Sequence, residues 1–514
     1  MKNIYIQIAI TFVALIISSC DTSIEVSEQL QPLQPKNIDA DAGTWKMTFM
    51  NAPDQVAVPV PADVASDAYK AELAFIKDAQ SKLTRAQKQA IDYWNGGGVL
   101  RWNQIFRELV ARYNLPPAPR ADGTYPAPDA ENPFADPGFP FSNPPYAARA
   151  YGYVTAAMYD ALKATWHYKY LYNRKAPYAV DGDVQSLAPQ TSLPAYPSED
   201  AVMSGTAAEV LKFLFPAALE EITLKAAEQR NVAIWTGKAS TSDVSAGLAL
   251  GKSVAALFVV RARADGMGAS IGNKAIWDKL GDGAKARGDE AWVSLETPPR
   301  PPMLPVFNKT SPWHMTYDDI VAIRPPAPPL RGSSEMNGEL EEVKYYTENL
   351  TRERLAIVHK WADGVGTYTP PGHWNDIAAE HIRDANFSEV RAARAFALLN
   401  MGMHNAAIAC WDTKFFYCNA RPSQLDPSIK TGTGIPNFPA YVSGHSTFSA
   451  SAAGILSYLF PEHAAEFQGM ADEAAMSRLY GGIHYRKDCM VGLDLGYDVG
   501  KHLIENFAKV DGSD

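Results

Sequence analysis

Four cysteines in 514 residues cannot supply a disulfide framework. Cys20 closes the N-terminal apolar segment, which leaves Cys410, Cys418 and Cys489, an odd number; Cys410 and Cys418 stand at helical spacing, as buried core thiols do. Positive charge is not in excess either. Lys and Arg number 47 against 57 Asp and Glu, a net charge of −10, which excludes a nucleic-acid or anionic-membrane footprint and requires any anion site to be built locally. There is no His-Glu-x-x-His motif. A zinc site could be assembled from His373, Glu380 and His381, but its histidines stand two helical turns apart. After the N-terminus no segment reads as apolar enough to span a bilayer. Strand-like alternation is missing as well: residues 68–94 and 103–113 follow the helical period.

What is present begins with an address. Lys2 precedes an apolar run from Ile4 to Ile17, then Ser18, Ser19 and Cys20. The pattern reads as a signal peptide over 1–20, and the residues before Cys20 resemble a bacterial lipoprotein cleavage site. An exported protein follows, lipid-anchored through Cys20 on a periplasmic or cell-surface face; an ordinary signal peptide is the alternative. Residues 21–60 are polar and Pro-containing and read as a tether. A helical region at 61–330 and a C-terminal bundle at 331–514 follow. Further helices are predicted at 146–172, 200–214, 219–236, 242–264, 338–362, 374–384, 387–417, 446–459, 463–478 and 488–508. Pro-rich connections at 116–145, 174–197 and 298–330 separate them. The predicted class is all-α.

The chain repeats itself. Trp166, Lys169, Tyr172 and Pro177 recur as Trp411, Lys414, Tyr417 and Pro422, an offset of 245 residues. The same offset takes Ser198 to Ser443, Pro216 to Pro461, Asp243 to Asp488, Gly247 to Gly492 and Gly251 to Gly496. Two related helical bundles are expected, near 146–265 and 390–510. The chemistry is not repeated: Arg421 faces Ala176, Gly444 faces Glu199, His445 faces Asp200, Arg478 faces Ala233 and His484 faces Ala239. The first copy reads as degenerate scaffold and the second as the site.

Lys414 and Arg421 share a helical face if the helix continues; if it ends near Tyr417, Arg421 lies in the loop stiffened by Pro422. Ser443-Gly444-His445 precedes an apolar run and so marks a helix N-terminus, where free N–H groups favour an anion. Arg478 is a third cation. His484 and Asp488 stand at i and i+4, so the carboxylate can fix the imidazole tautomer. At about 4 Å each cation contributes on the order of 4 kcal/mol at an effective dielectric near 20, enough for three to offset the desolvation of a buried oxyanion.

These residues resemble the superfamily of type 2 phosphatidic acid phosphatases (PAP2) and vanadium-dependent haloperoxidases, whose pattern is K-x6-RP, PSGH and SR-x5-H-x3-D. One position departs, Val442 in place of Pro. The resemblance implies that Lys414, Arg421, Ser443, Gly444 and Arg478 hold the oxyanion. His445 would be the acid/base group, His484 the axial ligand of vanadium or the nucleophile, and Asp488 its orienting partner. The length of the chain, its degenerate first bundle and the aromatics Trp411 and Phe438 look like the haloperoxidase branch. So does the tract containing His373 and Trp374; these four residues are the expected halide or substrate pocket. The implied activity is oxidation of halide by hydrogen peroxide with vanadate as cofactor. The alternatives are hydrolysis of a small phosphoester through a phosphohistidine, without cofactor, and a non-enzymatic glycan-binding lipoprotein.

Overall fold

The computed structural model describes residues 29–125 and 141–513. The expected signal peptide, Cys20 and part of the first Pro-rich connection lie outside them. Among the described residues there is no strand, only an isolated bridge between Ala291 and Asn419, so the all-α class stands. The longer helices, in chain order, are α1 (Asp67–Ser81), α2 (Arg85–Trp94), α3 (Gly98–Tyr113), α4 (Pro144–Tyr172), α5 (Glu199–Leu214), α6 (Leu219–Trp235), α7 (Thr241–Ala264), α8 (Ser334–Glu348), α9 (Arg352–Lys360), α10 (Thr369–Asp384), α11 (Glu389–Tyr417), α12 (Gly444–Leu459), α13 (Ala464–Tyr480) and α14 (Arg486–Asn506).

Two expected helices are each split. The capping box of Thr84 and Gln87 starts α2 afresh, and Thr351 caps α9 where 338–362 was expected to run on. Helix α10 begins earlier than expected, because Pro370 and Pro371 occupy a first turn whose N–H groups need no partner.

Element boundaries follow the 245-residue offset. α4 maps onto α11, both 29 residues long, and each ends in a left-handed residue, Asn173 and Cys418. α5, α6 and α7 start at positions that map onto the starts of α12, α13 and α14. Glycines recur where backbones cross. A Cβ on Gly251 would lie 2.4 Å from Val202 O, and one on Gly496 2.3 Å from Thr447 O. Only glycine permits so close an approach.

α4 packs along α11, and α3 and α10 lie across them, so one apolar core runs through both bundles. The Pro-rich stretch 298–330 wraps the second bundle. Its carbonyls accept from Trp411 Nε1 (Met303 O, 3.0 Å), Tyr417 Oη (Pro325 O, 2.7 Å) and Tyr441 Oη (Pro326 O, 2.7 Å).

Two expectations need correction. Residues 29–60 are not a free tether: Ala42, Trp45, Met47, Met50 and Val58 enter the core. The N–H groups of Thr48, Phe49 and Met50 converge on the Asp160 carboxylate at 2.7–2.9 Å. Also, among the described residues one helical segment, Thr241–Ala269, is apolar and long enough to cross a membrane, with a mean hydropathy of 1.6 over its 18-residue window. Half of that window is buried inside the protein, and α7 packs against α5, as a core helix does.

Candidate active site

Lys414 lies in the last turn of α11, which stops at Tyr417, so Arg421 stands in the loop beyond as the residue before Pro422. Tertiary structure brings the two together. Lys414 Nζ donates to Pro439 O and Ala440 O at 2.9 Å and also to Val442 O. Arg421 donates from Nε to Phe438 O (3.1 Å) and from Nη1 to Ile483 O (2.7 Å). Both side chains are fully buried, and Phe438 lies 4.9 Å from the ammonium and 5.1 Å from the guanidinium.

Ser443 caps α12 by accepting from Ser446 N at 3.3 Å, which puts Gly444 and His445 in the first turn. A Cβ on Gly444 would meet nothing nearer than Phe448 at 3.9 Å, with Cys410 and Trp411 at 4.0 Å. A Cβ at this glycine would therefore make ordinary van der Waals contacts without a clash.

His484 is not on the helix that carries Asp488. It lies in the turn before α14, and Asp488 sits in that helix's first turn. The carboxylate oxygen Oδ2 accepts from Tyr485 N at 3.2 Å and lies 3.0 Å from His484 Nδ1. On the other side of the ring, Arg421 Nη1 lies 3.0 Å from Nε2. A guanidinium only donates and a carboxylate only accepts, so Nδ1 carries the hydrogen and Nε2 the lone pair.

Arg478, buried in α13, donates from Nε to Ser477 Oγ (2.8 Å) and from Nη2 to Val358 O (3.3 Å). Lys414, Arg421 and Arg478 make no ion pair among the described residues. Burial lowers Arg421 and Arg478 to about 10, so both stay charged at neutral pH. Burial pushes Lys414 down and Asp488 up. His445 and His484 are driven well below the ordinary histidine range, first by burial and then by nearby cations, Arg478 for His445 and Arg421 for His484. Both imidazoles are neutral at neutral pH.

Asp363, which the sequence did not single out, stands between His445 and His373. Its Oδ2 lies 3.8 Å from His445 Nε2, and its Oδ1 lies 3.1 Å from His373 Nδ1. His373 stacks on Trp361 with ring centroids 4.5 Å apart. His373 thus reaches the site through a carboxylate. Trp374 is turned into the core, where its Nε1 donates to Ser449 Oγ at 2.9 Å. Trp411 and Phe438 pack with centroids 5.0 Å apart beside Lys414 and Arg421. The zinc construction has no structural counterpart: among the described residues no His, Cys, Asp and Glu gather as a metal site, and His381 packs on Phe460, His463 and Phe467.

The donor set suits a tetrahedral oxyanion. Three buried basic side chains stand against two carboxylates, Asp488 and Asp363, the Nε2 lone pair of His484 faces Arg421 Nη1, Nε2 of His445 is buried without a hydrogen-bond partner, and Gly444 opens the first turn of a helix.

Residues 394–509, which contain every oxyanion-site residue named above, match the family model described as PAP2 superfamily. The fold is that of solved vanadium-dependent haloperoxidases. A structure described as the first bacterial vanadium-dependent iodoperoxidase aligns with a TM-score of 0.57 and 24% identity over 71% of this chain and 91% of its own. A bacterial vanadium-dependent chloroperoxidase aligns in its apo form at 13% identity over 72% of this chain and 94% of its own, and in its holo form at 15% over 75% and 97%, each with a TM-score of 0.50. A search of curated proteins finds no match.

Proposed function

We propose that the second bundle holds vanadate and catalyses oxidation of halide by hydrogen peroxide, with hydrogen peroxide, halide and one proton giving hypohalous acid and water. The observation that carries this reading is the trio of buried cations without carboxylate partners, gathered beside a histidine with a fixed lone pair. The fold shared with bacterial vanadium-dependent peroxidases across both bundles supports the haloperoxidase branch.

Bound vanadate would supply Lewis-acid activation of hydrogen peroxide. Lys414, Arg421, Arg478, Ser443 and the Gly444 N–H would hold its oxygens, and His484 Nε2 would ligate it. Asp488 keeps the hydrogen on Nδ1, so the Nε2 lone pair that now faces Arg421 is the one a ligand would take. His445, neutral and unpartnered at Nε2, can exchange a proton with the peroxide. Burial keeps bulk water from competing for the cations. The Cys20 segment supports an exported, lipid-anchored enzyme.

Phosphoester hydrolysis is the second reading, favoured by the PAP2 match and by a His484 lone pair equally fit to attack phosphorus. One assay separates them. The purified protein receives vanadate, hydrogen peroxide and each halide with a halogen acceptor, and separately a chromogenic phosphoester. Halogenation that requires vanadate is expected; phosphoester turnover blocked by vanadate, without halogenation, overturns the first reading.

A further inference from the structure

We infer that the first bundle contains a second oxyanion site of the same design, closed by a carboxylate of the chain itself, and that Glu199 is its built-in anion. Glu199 occupies the position of Gly444 at the N-terminus of α5. The lysine corresponding to Lys414 meets it there, with Lys169 Nζ 2.8 Å from Glu199 Oε2.

The surroundings follow the same plan. Lys169 also donates to Pro194 O, as Lys414 does to Pro439 O, the carbonyl 245 residues later. A second cation, Lys238, lies 3.2 Å from Glu199 Oε1 and 2.8 Å from Asp200 Oδ2, and Asp200 stands where the second bundle has His445. Asp243 corresponds to Asp488; with no histidine at position 239 its carboxylate instead lies 3.3 Å from Arg174 Nη1. Lys169, Glu199 and Asp200 are buried. Burial alone would raise the Glu199 carboxyl, yet Lys169 and Lys238 draw it down to about 2. It is held as an anion, as a bound oxyanion would be. Lys169, Lys238 and Arg174 face Glu199, Asp200 and Asp243 here, three against three, whereas in the second bundle Lys414, Arg421 and Arg478 face only Asp488 and Asp363. The first bundle is neutralised from within, and the second requires a ligand to reach the same balance.

The comparison rests on reading the second bundle as an oxyanion site, so the test separates the two claims. Inorganic phosphate is titrated calorimetrically into the full chain, into Glu199→Gly, and into both again with Arg421→Ala and Arg478→Ala added. Glu199→Gly is expected to gain one phosphate per chain in either background. If the second-bundle reading is wrong, the wild type binds none, but the gain remains. A Glu199→Gly protein with the wild-type helical spectrum and no added phosphate overturns the inference.

The reciprocal change decides the matter if Glu199→Gly does not fold. A Cβ at position 444 would clash with nothing, since Phe448, Cys410 and Trp411 lie 3.9–4.0 Å away. Gly444→Glu is expected to abolish phosphate uptake by the second bundle and to raise the melting temperature in phosphate-free buffer. A lower melting temperature, or phosphate binding that survives, overturns the inference.

Discussion

Arg421 Nη1 lies 3.0 Å from His484 Nε2, so a cation placed for an anion also holds the imidazole in its lone-pair form. Lysine has no planar fork with which to serve both. Arg421→Lys is therefore expected to weaken oxyanion binding by about 100-fold, the scale of losing one preorganised donor. Vanadate and phosphate titration of the purified variant measures it.

Asp363 lies between His373 and His445, its Oδ1 3.1 Å from His373 Nδ1 and its Oδ2 3.8 Å from His445 Nε2. Asp363→Asn keeps the shape and removes the charge. Turnover is expected to fall about 10- to 100-fold with oxyanion affinity changed far less, because the Lys414, Arg421 and His484 contacts do not involve Asp363. A split between kcat and the vanadate Kd is the readout.

Trp374 and Ser449 form a buried hydrogen bond. Trp374→Phe leaves the serine hydroxyl unpaired and should cost about 1–3 kcal/mol of stability. Halide preference should not change, since the indole faces the core. Chemical unfolding and a halide-competition assay check the two halves.

Gly496 lets α14 cross α12 at Thr447 O. Gly496→Ala forces the helices apart and should destabilise by about 1–3 kcal/mol. α14 carries Asp488 and α12 carries Ser443, so oxyanion binding should weaken with it. Thermal unfolding with and without vanadate measures both effects.

His404 accepts from Trp313 Nε1 at 2.9 Å, and burial holds it well below the ordinary value of 6.5. The unfolded chain takes a proton near pH 6.5 and the folded chain resists it to lower pH. The His404 contribution is therefore full above pH 6.5 and lost as pH falls below it. Relative to His404→Gln, the wild type should lose about 1.4 kcal/mol for each pH unit below 6.5 until the folded imidazole titrates. Unfolding curves of both proteins between pH 7.5 and 4.5 test this.

The helices were legible because they are written in neighbouring residues, as periodicity and as caps such as Ser443, and the short motifs named the residues that the fold gathers around His484 and His445. The internal offset exposed Glu199 and Asp200 as substitutions before their lysine partners were visible. Asp363 was not legible. Its sequence signal is an Asp-Gly turn, and only tertiary packing, with α9 against α13, brings that turn to His445. Trp374 was misread because adjacent helical residues point about 100° apart, so His373 and Trp374 face different surroundings. Residues 29–60 looked like a tether because their polar composition hides how much of Trp45, Met47 and Met50 the bundle covers.

Lys414 directs its ammonium at three carbonyls of the loop 439–442. The loop before Ser443 is thus held in shape by the lysine, not by the ligand. Capture should then be a one-step event. In stopped-flow measurements its rate should rise linearly with vanadate concentration, without the plateau that marks a slow loop closure.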